Sequence, residues 1–100
     1  MALEITGQIE LNGGITIPSA YVRILPYIYV DGKKLKYYIF AFLNKQSYLD
    51  NKGNIALEYI VSNQMDYNRD TDGDDILTLI HNKLKAEYET YGLSVEIVDL

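Results

Sequence analysis

Residues Asn68 to Asp75 read NRDTDGDD, and five of the chain's eight aspartates fall between Asp66 and Asp75. That density of carboxylate is the chemistry of a hard-cation site. An EF-hand loop places oxygen ligands at positions one, three and five, turns at a glycine in position six and closes with a bidentate glutamate at twelve. Counted from Asn68, the first half fits: Asn68, Asp70 and Asp72 take ligand positions, Gly73 takes the turn, and Asp74 adds a further carboxylate. The second half departs from the pattern, with Asp75 where an apolar residue is usual and Leu79 in place of the glutamate. A loop lacking its bidentate ligand binds calcium at about 10⁻³ M or worse. The same residues have a simpler use. Asp74 or Asp75 can cap a helix by accepting from the N–H groups of its first turn, and nearby carboxylates favour the positive end of its dipole. The metal set Asn68, Asp70, Asp72 and Asp74 therefore stands second to a helix start, and no cofactor is expected.

Other chemistry finds little support. His81 is the only histidine, so a histidine metal cluster is impossible, and no nucleophile-elbow signature accompanies it. Glu87 and Glu89 lie two apart on a helical pattern, so they do not share a face. Neither GxxxxGK[ST] nor GxGxxG occurs. The expectation is a protein that is not an enzyme and has no small-molecule substrate. With no cysteine there are no disulfides or thiolate metal sites.

Ten tyrosines against two phenylalanines and no tryptophan are the stronger lead. Tyrosine combines a large ring with a polar tip, which suits half-wet protein contacts. Tyr27, Tyr29, Tyr37 and Tyr38 sit on adjoining strand patterns and are the interface candidates. A net charge of −5 argues against binding nucleic acid, whose phosphates need clustered cations. Lys33, Lys34 and Lys36 are the local exception, at an expected hairpin tip. No stretch approaches the roughly 18 apolar residues of a membrane helix, so no membrane partner is expected. The opening MALEITGQIEL lacks a basic region followed by an apolar run, so it does not read as a signal peptide.

One hundred residues, 48% hydrophobic and 23% charged, make one domain of ordinary globular composition. Its elements follow from periodicity. Leu3, Ile5, Ile9 and Leu11 alternate with polar residues, giving a half-buried strand over 3–11 with Gly7 as a bulge or close-packing point. Asn12-Gly13-Gly14 suits a hairpin turn into a strand over 15–17, which Pro18 ends or places at an edge. A strand over 20–30, interrupted by Pro26, turns at Asp31-Gly32 into another over 34–43. That return strand is apolar on both alternating faces, so something covers each side, whether the helix or another chain. Residues 44–54 read as a loop, 55–62 as a strand, 63–73 as a linker and 93–99 as a last strand. Ile76, Leu77, Ile80, Leu84, Tyr88 and Tyr91 form one apolar stripe, predicting a helix over 75–91 stopped by Gly92. The fold class is α+β: an antiparallel sandwich or barrel-like sheet, one C-terminal amphipathic helix packed on it, and a final strand.

The segment GQIELNGGITIPSAYVRI, followed by a two-strand stretch, a polar loop and a final helix, resembles small virion proteins of tailed bacteriophages, crAss-like phages of Bacteroides among them. The pieces that carry the resemblance are Gly7 to Ile17, Ala20 to Ile24, Lys36 to Leu43 and Ile76 to Tyr91. It implies a structural part in the virion (capsid, head fibre, collar or tail) made in the host cytoplasm. Its partners would be copies of itself and other virion proteins. No catalytic residue comes with it. The alternative is a small soluble protein-binding module or regulator.

Overall fold

The computed structural model describes residues 1–28, 33–73 and 75–99, the side chains of Tyr27 and Ile28 excepted. Five strands form one antiparallel sheet in the order β4-β3-β2-β1-β5. These are β1 (Ala2–Glu10), β2 (Thr16–Ile28), β3 (Lys34–Phe42), β4 (Gln64–Asp66) and β5 (Ser94–Val98); the helices are α1 (Lys45–Leu49), α2 (Arg69–Asp72) and α3 (Ile76–Glu89). The α+β class holds. Among the described residues there is a single sheet with β4 and β5 at its two edges.

Alternation decides which face is buried. Leu3 pairs with Val22 and Ile97, Val22 with Ala41, and Ile24 with Ile39, so these side chains point to one side. There α3 lays Ile80, Leu84 and Tyr88 onto them, and all but the rim of this layer is buried. Burying a Leu or Ile side chain is worth about 1.5–3 kcal/mol, so this layer dominates the fold's stability. Asp75 caps α3, its carboxylate accepting from Thr78 N and from the Thr78 hydroxyl at 2.9 Å. Leu77 and Tyr91, expected in the stripe, are exposed, and His81 is fully buried instead. The helix is shorter than expected at both ends, and Leu93 tucks into the core before β5 begins.

Several boundaries differ from the sequence reading, each for a local reason. Residues 15–17 and 20–30 are not separate strands: β2 runs through both prolines and lies in the middle of the sheet, not at an edge. Pro18 is tolerated because β1 bulges opposite it, the register slipping between Thr6↔Ser19 and Ile9↔Ile17. Gly7 makes that bulge possible. Its φ of +139° is one that residues with a Cβ rarely adopt, and Leu93 Cδ2 lies 3.3 Å from where a Cβ would stand. Pro26 lies beyond the last β1 partner, pairing with Tyr37 of β3. Tyr29, Val30 and the Asp31-Gly32 turn fall outside the described residues.

The segment 55–62 is not a strand. Its ladder pairing is limited to two isolated bridges, Ala41↔Ile55 and Leu11↔Leu57, as it crosses from β3 to the end of β1. Its alternation is informative even so: Ile55, Leu57, Tyr59 and Val61 pack against the core and Ile60 points to solvent. Side chains tie this strap down. The Tyr59 hydroxyl donates to Gln8 O and accepts from Glu10 N, filling the gap that the bulge opens. Tyr91 donates to Ile60 O at 2.7 Å. The loop 44–54 contains α1, capped by Asn44, and the linker 63–73 contains β4 and α2.

Candidate interaction surface

The sheet's second face is the part of the molecule left open. Register places Tyr21, Arg23 and Leu25 of β2 beside Phe42, Phe40 and Tyr38 of β3 on the side away from α3. The short α1 covers one corner of it. Tyr48 stands edge-on to Phe42 at 5.3 Å and tilted over Tyr21 at 5.8 Å, with the Arg23 guanidinium 4.9 Å from its ring centre. Arg23 also donates to Met1 O at 3.1 Å. Tyr21 is thereby buried, and its hydroxyl has no hydrogen-bond partner among the described residues.

Past that corner the apolar surface continues into water. Leu25 is 57% exposed, its cross-strand neighbour Tyr38 55%, and Phe40 36%, with the Tyr38 and Phe40 rings 6.4 Å apart. Contiguous apolar surface of this kind marks contact sites more than scattered single residues do. On the same face over β1 and β5 the surface turns acidic. Glu4 and Glu96 are directly opposite each other in register, both exposed, and border a hollow with Thr6, Ser94 and Val95. Glu4 also borders a neighbouring hollow together with Lys45 of α1. Like charges directly opposite on neighbouring strands are destabilising.

Two of the four candidate tyrosines, Tyr37 and Tyr38, have described side chains, and they take opposite faces. Tyr38 lies on the open face. Tyr37, one position away, points to the other side and is 2% exposed, so it is a core residue and the expectation for it is corrected. Burial pushes its hydroxyl up to about 12, with the Glu87 charge adding to the rise. The side chain of Tyr27 and all of Tyr29 lie outside the described residues. Leu25 and Phe40 carry no signal in the sequence because each sits in a run apolar on both faces. Only the strand register assigns them a side.

The acidic stretch is engaged in local structure. Asn68 accepts from Asp70 N at 3.0 Å and caps α2, while Asp72 accepts from Asn68 N at 2.8 Å. The Tyr67 hydroxyl donates to Gly73 O and closes the loop. Asp74 is outside the described residues. Among the described ones, no three His, Asp or Glu side chains converge as an ion would need.

His81 is the buried titratable group that periodicity places only at the border of the stripe. Its Nδ1 lies 2.6 Å from Leu77 O and donates to that carbonyl, and its Nε2 is buried. Burial lowers its pKa; hydrogen bonding to the Leu77 and Met1 backbone opposes this, while the terminal amine and Arg23 add to it.

No helix among the described residues is long and apolar enough to cross a membrane. Compared with protein-family models, with characterised proteins and with solved structures, the chain matches none.

Proposed function

We propose that this chain is a non-enzymatic assembly subunit that works through protein–protein contacts of its open sheet face. The observation that carries this reading is the uncovered row Leu25, Tyr38 and Phe40, on the side of the sheet that α3 leaves bare. The resemblance of Gly7 to Ile17 and Ala20 to Ile24 to tailed-phage virion proteins supports a phage particle as the assembly, with the chain as a capsid, head-fibre, collar or tail component. A second sheet laid over the open face would complete a sandwich between chains, which answers the two-sided apolar pattern of β3. Mass spectrometry of purified particles tests the proposal, with the chain expected in stoichiometric copy number. A chain found only in the soluble fraction of infected cells, bound to one cellular protein, would favour a soluble binding module instead.

A further inference from the structure

We infer that the strap 55–62 arches over a binding site for a small, uncharged, mostly apolar molecule that carries a hydrogen-bond donor and acceptor side by side, as a primary carboxamide does. The site lies on the α3 side of the sheet and owes nothing to the open face. Both feet of the arch stand on β3: Ile55 N donates to Ala41 O at 2.8 Å, and Tyr37 N donates to Asn63 O at 3.1 Å. Between them the chain swings out to β1, where Asn12 N donates to Ala56 O and Glu58 N to Glu10 O. That detour leaves a hollow of about 380 Å³, lined by Ile39 and Ala41 of β3, Tyr88 of α3 and strap residues that include Leu57 and Val61. None of the residues lining it is charged, so an ion would enter without a partner. Ile60, 89% exposed, stands at its rim as apolar surface that a ligand would cover.

One polar pair points into the arch. On an antiparallel strand a residue's N–H and C=O share one edge, and the edge alternates from residue to residue. Tyr37 and Ala41 turn theirs towards the strap, so Ile39, midway between them, does the same. The pairing of β3 with β4 ends at Lys36, and among the described residues no backbone bond from the strap reaches either Ile39 group. A carboxamide would accept from Ile39 N–H and donate to Ile39 O while its apolar body fills the hollow. An apolar space with a few backbone polar groups is the usual make-up of a small-ligand site, and this one suits roughly ten to fifteen heavy atoms. Side chains hold the strap in place: Tyr59 donates to Gln8 O, Tyr91 to Ile60 O, and Glu87 accepts from Ser62 N. It can therefore shift to admit a ligand without breaking a continuous ladder.

Amide NMR titration of the full chain with 4-butylbenzamide, methyl 4-butylbenzoate and 4-butylbenzoate tests the inference. The amide is expected to bind with a Kd on the order of 100 μM and to move the Ile39 backbone signal together with those of residues 55–61. The ester lacks the donor and the benzoate brings a charge, so each is expected to bind roughly tenfold or more weakly. Val61→Phe and Ala41→Leu enlarge side chains that line the hollow, and each is expected to weaken amide binding by about tenfold or more. Circular dichroism melts identify a variant that fails to fold, and the wild-type shift map with the ranking of the three compounds decides the matter without either variant. No saturable shift up to about 1 mM amide overturns the inference. So do shifts centred on Leu25 and Phe40 of the open face, equal affinity for all three compounds, or undiminished binding to both variants when they melt like the wild type.

Discussion

The two faces of the sheet are built from the same strands, and they meet very different surroundings. On the side that α3 packs against, Leu3, Ile5, Val22, Ile24 and Leu35 are sealed from water. Behind them Leu25, Tyr38 and Phe40 stand in it, one residue out of step along the same backbone. Apolar character alone therefore does not separate core from contact surface here; what covers each side does. The helix stripe is wide enough to roof β5, β1 and part of β2, the strap extends the roof towards β3, and α1 shelters only the corner around Tyr21. A face that folding leaves apolar and uncovered contributes little to the stability of the chain, which gives a direct way to tell the two apart.

Truncation should show the contrast most strongly. Leu84→Ala removes a fully buried side chain of α3 and is expected to cost about 2–5 kcal/mol in urea denaturation, as cavity-forming changes do. Gly7→Ala comes next, at about 1–3 kcal/mol, because alanine is strained at a φ of +139° and its Cβ crowds Leu93. A loss below the scatter of the urea curves would mean that the bulge relaxes freely. The third effect is acid-dependent. His81 is held neutral in the fold with its pKa lowered, so the unfolded chain takes up the proton first. The stability it supplies is complete above its ordinary pKa of about 6.5 and is lost as pH falls below that, by at most about 1.4 kcal/mol per pH unit. Denaturation of wild type and His81→Gln across pH 7.5 to 5 isolates this slope. The variant should lack it; an equal slope in both would assign the acid sensitivity to the carboxylates. Smallest of all, Leu25→Ser should change monomer stability by no more than about 0.5 kcal/mol. A loss rivalling that of Leu84→Ala would place Leu25 in the core and end the distinction between the faces.

Much of this architecture is legible in residue order. The alternation in β1, the stripe from Ile76 to Tyr88 and an aspartate cap at its start are local signals, and local physics realises them. What is not legible depends on partners distant in the chain. Pro18 reads as a strand end because the bulge that accommodates it belongs to another strand. Residues 55–62 have the period of a strand, yet an extended segment becomes one only when a neighbour offers a continuous ladder, and here it meets two bridges. The excess of tyrosine is visible at once, but the face of each ring follows from register. Thus Tyr37 and Tyr38 look alike in the sequence and part company in the sheet, while Leu25 and Phe40 give no sign of which side they take. The acid pair has no local signal either, since Glu4 and Glu96 become neighbours only when β5 joins β1.

That pairing has a consequence in time. β1 pairs early with β2 across a short turn, but its other edge waits for β5, almost the whole chain later, and its bulge waits for Tyr59. Pairings of such long range form late and slowly. Throughout synthesis β1 presents a bare edge and an empty bulge to whatever strand arrives first. At high local concentration, a neighbour's β5 can compete with the chain's own. The seam that completes the monomer is therefore also the one along which two copies can exchange strands.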